Sequence, residues 1–224
     1  MGRKATAAAS ERRSYQQSCG VARALDVVGE RWTLLIVRNL LLGPRRYSDL
    51  LAELPGITTN LLAKRLQDME AAGIVDNTAD QGTARYQLTA RGLALEPVVM
   101  ELGRWGWPLL QKPRTGDRAD LGLALLSLKR RYVGGLKLTV GLTVDGRDYT
   151  LMLTPRGVTV RDKPAQSPDV TITGSLAEVR ALLFAGDWSK GLPAATRVDV
   201  VASHSDWASF SGAFRLDPGP AAPV

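Results

Sequence analysis

The pattern of apolar residues changes part-way along the chain, and that change limits what it can fold into. Up to about residue 110 the segments have helical length and period. Beyond residues 111–117 (QKPRTGD) short β-rich runs take over. A chain of 224 residues holds one large domain or two ordinary ones, and the switch of period favours two. In the first part, residues 19–28 (CGVARALDVV) and 31–42 (RWTLLIVRNLLL) read as helices broken at Gly29. The second is apolar nearly all round and so belongs at the centre of a core. Gly43 and Pro44 then interrupt, residues 47–54 (YSDLLAEL) form a short helix with Ser48 as its cap, and PGI turns the chain. In residues 58–73 (TTNLLAKRLQDMEAAG), Leu62, Leu66 and Met69 recur at i, i+4 and i+7 and fall on one buried face, with Thr58 capping the start and Gly73 ending the helix. IVDNTA and ARYQLT follow as a hairpin joined by DQGT. A long helical stretch then runs from Thr89 to Leu110, with Pro97 either kinking it or lying near a helix start.

The second part, LKLTVGLTVDGRDYTLMLTPRGVTVRD, contains hairpin signals at DGR and PRG. DVTIT adds a strand, SLAEVRALLFAG an amphipathic helix between Ser175 and Gly186, RVDVVA a last strand and SDWASFSGAF a last helix. This is an α+β pattern with an antiparallel sheet.

Net charge is +7 at pH 7. The excess lies towards the N-terminus: 16 Lys+Arg face 11 Asp+Glu up to Arg114, against 13 and 11 beyond it. Such a balance favours anionic partners, nucleic acid first. One cysteine excludes an internal disulfide and suits a reducing cytoplasm. A single His and a single Cys are too few soft ligands for an ordinary zinc site, so no metal or cofactor is expected. The start of the chain has positive charge but no apolar run after it, and no stretch reaches the roughly twenty apolar residues of a membrane span.

Helix, helix, short helix, turn, helix, hairpin is the order of a winged helix-turn-helix. The helix at 58–73 is then the recognition helix, with its N-terminal end in a DNA major groove. Thr58, Thr59, Asn60 and Lys64 are the candidates there, Asn suiting adenine and Lys guanine, and Ala63 leaves room for close approach. Arg65 is expected to reach phosphate from the flank, and Arg45 and Arg46 to clamp phosphates ahead of the motif. Gln81, Gly82, Thr83 and Arg85 form the wing tip, with Arg85 as its backbone or minor-groove contact.

Residues 19–75 closely resemble the HxlR family of bacterial winged-helix regulators. The resemblance rests on Cys19 opening the first helix, GERW (29–32), Tyr47–Leu50, Pro55–Thr58 and GIV (73–75), with YQLTARG (86–92) at the start of the family's last helix. Met69 stands where the family pattern has a Leu. The resemblance covers about residues 18–110 and implies a homodimer built through the first and last helices, reading a two-fold-related double-stranded DNA operator, most simply as a repressor. Cys19 keeps two readings: a reactive thiol, favoured by its place at a helix N-terminus with Arg23 one turn on, or a small apolar side chain in the dimer contact.

PDVTITGSLAEVRALLFAG weakly resembles the sterol-carrier-protein domain, a small α+β fold with an apolar tunnel. That implies an apolar small-molecule effector, with Leu138, Val140, Leu151, Leu153, Ile172, Leu182, Leu183, Phe184, Trp188, Trp207 and Phe210 as lining candidates. The expected plan is a flexible basic tail (1–17), an HxlR-type domain (18–110), a linker (111–117), a sterol-carrier-like domain (118–217) and a tail (218–224). His204 lies beside Ser203, Ser205 and Asp206, but no nucleophile elbow accompanies them and no catalytic residue is expected. A carrier of lipid or a protein-interaction module that does not bind DNA is the alternative class.

Overall fold

The computed structural model describes residues 14–80, 83–106, 109, 115, 121–184 and 198–214. Its first half comprises α1 (Gly20–Val28), α2 (Thr33–Leu40), α3 (Tyr47–Glu53), α4 (Thr59–Ala71), the hairpin β1 (Val75–Asp80) and β2 (Thr83–Leu88), α5 (Ala90–Leu93) and α6 (Glu96–Gly106). Ile36, Val37, Leu50, Leu54, Leu62, Leu66 and Met69 pack into one buried cluster, with Ile74 and Val75 closing it from the hairpin. The i, i+4, i+7 face of α4 is therefore buried, each residue at 2% exposure or less.

Several boundaries differ from the sequence pattern for local reasons. Helix α2 starts at Thr33 because Trp32 sits at φ 82 and breaks the helical path. The cap of α3 is Arg46, not Ser48, and its backbone N–H donates to Asp49 Oδ2 at 3.1 Å. The expected long helix from Thr89 is two pieces, and Pro97 falls in the first turn of α6, where a missing N–H costs nothing. Ser14 Oγ and Tyr15 N both donate to Asp26 of α1, at 3.1 and 2.9 Å, so the chain is anchored before residue 17. Residues 111–114, 116 and 117 of the expected linker and residues 218–224 lie outside the described residues.

The second half opens with a helix the sequence pattern did not reveal, α7 (Leu121–Arg131). It is followed by β3 (Leu138–Val144), β4 (Arg147–Thr154), β5 (Gly157–Arg161), β6 (Val170–Gly174), α8 (Leu176–Phe184), β7 (Asp199–Ala202) and α9 (His204–Gly212). The sheet runs β5-β4-β3-β6-β7. It is mixed rather than antiparallel, because β6 crosses back to lie parallel to β3 in the register Val140↔Val170. The β3–β4 turn places Asp145 and Gly146 both at positive φ, as a tight two-residue hairpin requires. Ser175 and Glu178 cap α8 reciprocally: Ser175 N donates to Glu178 Oε2 at 2.9 Å and Glu178 N to Ser175 Oγ at 3.3 Å.

Helix α7 packs across the sheet with Leu125 and Leu128 almost fully buried. Leu138, Val140, Leu151, Leu153, Ile172, Leu182 and Phe210 fill the same core at 7% exposure or less, with Trp207 partly buried against it. They are packed core rather than a tunnel lining. The side chains of Leu183 and Phe184, and all of Trp188, lie outside the described residues, as does Gly186. Leu42, from the end of the first half, joins this second core, and Lys129 of α7 pairs with Glu96 of α6 at 2.6 Å.

Candidate nucleic-acid interface

The sequence features that delimit α4 each have a physical job. Tyr47 Oη donates to the Thr59 carbonyl at 2.6 Å and ties α3 to the first turn of α4. Leu50, fully buried, seats α3 in the core. Thr58 caps α4, its Oγ1 accepting from Leu61 N at 3.4 Å. Gly73 takes φ +68 and sends the chain into β1. Thr89 Oγ1 donates to the Gly73 carbonyl at 2.6 Å and accepts from Gly92 N at 3.1 Å, linking the helix end to the second strand's exit. At Gly92 a Cβ would stand 2.1 Å from the Ile74 carbonyl oxygen, so no larger residue fits without movement.

Thr58, Thr59, Asn60 and Lys64 are exposed at the N-terminal end of α4, with Ala63 half-buried between them. Lys64 is held loosely by Asp68 at 3.4 Å, and its side chain keeps 58% of its surface. These residues form a continuous polar and basic patch on the helix end whose N–H groups carry partial positive charge. Arg46 is exposed at the start of α3.

Arg65 and Arg45 do not extend that patch. The Arg65 side chain is 10% exposed, with Nη2 on Glu30 Oε2 at 2.6 Å, Nη1 on Asp68 Oδ2 at 3.2 Å and Nε on the Arg31 carbonyl at 3.2 Å. It fastens α4 to the α1–α2 corner instead of reaching outward, and this gives the GERW motif its role, since Glu30 supplies the carboxylate. Trp32 packs against the same core while the Arg31 guanidinium lies 5.3 Å over its ring. Arg45 pairs through Nε with Glu53 at 3.2 Å, its side chain 11% exposed. Its backbone bridges to Tyr86, and it lines a cavity between the two halves beside Tyr149. Burial, more than the neighbouring charges, pushes the Tyr149 phenol above its ordinary value.

Gln81 and Gly82 lie outside the described residues, as does the Thr83 side chain. Arg85 is half-buried along β2 opposite Thr78, whose Oγ1 donates to the Arg85 carbonyl at 3.5 Å. Cys19 is exposed at the N-cap of α1, and hydrogen bonds from the backbone of Ala22, then Val21, hold its thiol below the ordinary value. Sequence reasoning missed Tyr47 and Glu30 as supports of α4; only the residue types in their motifs hinted at them. In the second half, Ser203 Oγ accepts from Asp206 N at 3.0 Å and donates to Asp206 Oδ2 at 2.6 Å, a helix cap that leaves His204 outside it. Among the described residues no group of His, Cys, Asp and Glu could hold a metal ion, and no helix is long and apolar enough to cross a membrane.

A three-helix unit with a two-stranded wing, whose last helix before the wing presents an exposed polar face at its N-terminal end, defines a winged helix-turn-helix protein. The model of the HxlR-like helix-turn-helix family matches residues 27–113, and the chain belongs to that family. The uncharacterised HTH-type transcriptional regulator YvaP of Bacillus subtilis (strain 168) is 36% identical over 86 residues, 37% of this chain and 80% of YvaP. YkvN of the same organism, also an HTH-type transcriptional regulator, is 34% identical over 92 residues, 40% of this chain and 78% of YkvN. Among solved structures, the redox regulator HypR in its oxidised form is 31% identical, covering 40% of this chain and 96% of that one with a TM-score of 0.39.

Proposed function

We propose that this protein is a DNA-binding transcriptional regulator that works as a homodimer, reads a two-fold-related operator as a repressor, and responds to an apolar effector through its second half. The observation that carries the reading is the exposed end of α4, where Thr59, Asn60 and Lys64 stand clear of the core while Arg65, Tyr47 and Thr58 hold the helix rigidly behind them. A reading element that projects polar side chains from a fixed scaffold is what base recognition needs. Dimerisation is supported by apolar side chains left exposed on α1 (Val21, Leu25) and along one face of α6 (Val98, Leu102, Trp105). The β6–α8 succession after two hairpins supports the sterol-carrier-like reading of the second half. Its described core is filled, however, so the effector needs a site elsewhere.

Binding to a library of duplex sequences tests the central claim. Wild-type protein should select a sequence, with affinity falling steeply as salt rises. Lys64→Ala should relax the choice at one base pair by about 1–3 kcal/mol while the rest of the preference survives. Unchanged preference would remove α4 from the interface. A second reading rests on Cys19, whose exposure and lowered pKa support a thiol that reacts with electrophiles. Cys19→Ser should then abolish any electrophile response of operator binding.

A further inference from the structure

A cavity of about 230 Å³ lies where the two halves meet, smaller than the roughly 300–1,000 Å³ of sites for drug-sized ligands. Asn39 of α2, Arg45 from the turn before α3 and Glu53 at the end of α3 line it from the first half, and Tyr149 of β4 and Asp162, just beyond β5, from the second. The first three form a fixed network: Glu53 Oε1 accepts from Arg45 Nε at 3.2 Å and Oε2 from Asn39 Nδ2 at 3.1 Å, while Asn39 Oδ1 accepts from Arg38 Nε at 2.9 Å. Two polar groups on this lining are left over. Arg45 Nη1 donates to the Pro44 carbonyl at 3.3 Å, but Nη2 makes no hydrogen bond among the described residues. Tyr149 is 9% exposed, and its hydroxyl makes none there either, although the charges of Arg45, Glu53, Arg147 and Asp162 all act on it. Burying a hydroxyl without a partner costs free energy that a bound oxygen would return.

The mixture of charges selects a ligand. Two guanidiniums, Arg45 and Arg147, and three carboxylates, Glu53, Asp145 and Asp162, line the cavity. Arg147 Nη2 stands 3.4 Å from Asp162 Oδ2, and Asp145 Oδ1 accepts from Leu176 N at 3.3 Å, so these side chains are engaged within the protein and call for no counter-ion. An anion would meet three carboxylates and a cation two guanidiniums. A hydrocarbon would strip water from all of them and replace no hydrogen bond. A hydroxyl group suits such a lining, since it donates to a carboxylate and accepts from a guanidinium at once. Leu42, Leu125, Val144 and Leu176 add an apolar wall against which the C–H face of a ring can lie. The geometry points to a binding site for an uncharged polyhydroxylated ring of monosaccharide size, held between the two halves by Arg45 Nη2 and Tyr149 Oη. Arg45 also pairs through its backbone with Tyr86 of β2, so the site adjoins the wing. It goes beyond the apolar effector and operator recognition, and its test uses neither lipid nor DNA.

Calorimetric titration of the full chain decides the matter, with D-glucose, D-galactose, D-mannose and myo-inositol as neutral probes and D-glucuronate and D-glucosamine as charged ones, all at pH 6, where the amine is protonated. Expected are saturable binding of at least one neutral probe, one per chain, and weaker binding of both charged sugars. Tyr149→Phe removes only the hydroxyl. It should weaken the bound probe about tenfold and leave the Tm of the ligand-free protein unlowered, because no internal hydrogen bond is lost. Tyr132→Phe should do the reverse, lowering Tm with affinity intact, since its hydroxyl donates to the Thr154 carbonyl at 2.9 Å and accepts from Leu136 N at 3.0 Å. Absence of saturable binding by all four neutral probes would overturn the site, leaving a cavity that holds only water. A charged sugar binding as tightly as the best neutral one would overturn the ligand class. Unchanged affinity in Tyr149→Phe would place the bound probe elsewhere, and a lowered Tm would show the hydroxyl to be a structural group; either result overturns the assignment.

Discussion

Replacing Arg65 by Met separates anchoring from DNA contact. The stem of the side chain survives the change, while three polar interactions vanish: those with Glu30, Asp68 and the Arg31 carbonyl. Breaking a fully buried pair strands its partner's charge and costs about 3–5 kcal/mol. Here both partners can rehydrate, because the Glu30 and Asp68 side chains are 59% and 40% exposed. The hydrogen bonds to charged groups must be discounted accordingly, leaving a loss of about 1–2 kcal/mol. For a chain of this size that lowers Tm by roughly 2–8 °C, readable by scanning calorimetry. Operator affinity should fall because α4 is less firmly held, but the slope of log K against log salt should stay the same. A phosphate contact behaves in the opposite way: its loss removes about 0.9 from that slope and leaves Tm alone. A reduced slope with an unchanged Tm would refute the anchoring role and return Arg65 to the DNA surface.

Gly92→Ala should destabilise the fold by about 1–3 kcal/mol, seen as a lower urea midpoint, since the added methyl meets the Ile74 carbonyl at 2.1 Å; an unchanged midpoint would mean α5 can shift freely. Cys19 should be alkylated by iodoacetamide with a pH midpoint below that of N-acetylcysteine, because a lowered pKa puts more thiolate at any given pH; a midpoint at or above the reference thiol would contradict the backbone hydrogen bonds. In sedimentation velocity the protein should travel at twice its 24.1 kDa chain mass, and Trp105→Glu, at a side chain 65% exposed in the single chain, should travel at once that mass. Identical profiles for the two would place the dimer contact away from α6.

The parts of this structure legible in the sequence are those fixed by near neighbours. The buried stripe of Leu62, Leu66 and Met69 and the caps at Thr58 and Ser175 depend on residues within two helical turns. The fate of Arg65 does not: its chief partner, Glu30, is 35 residues upstream, and basic composition alone made it look like a phosphate ligand. Arg45 was misjudged for a similar reason, since the cavity that shelters it is lined partly by residues 121–176. Local pattern cannot express the parallel β3–β6 pairing, which joins residues 30 apart. Helix α7 escaped because LGLALLSLKRR is buried over most of its surface and lacks a clear polar face. The leucines proposed for a tunnel had the right side of the sheet but the wrong role, because α7 lies over them.

The isolated bridge between Tyr132 and Phe214, with Val133 N donating to the Ala213 carbonyl at 2.9 Å, joins the first helix of the second half to its last. Tyr132 packs tilted and Phe210 edge-on against Phe214, with ring centroids 5.6 and 5.2 Å away. During synthesis the winged-helix core can close once α6 has emerged from the ribosome, whereas the second core stays open until residue 214 has emerged. A message cut short before that codon would therefore release a folded winged-helix half attached to an unclosed sheet, a product whose second half is exposed to proteolysis. Quality control acting on that half would set how much truncated regulator a cell retains.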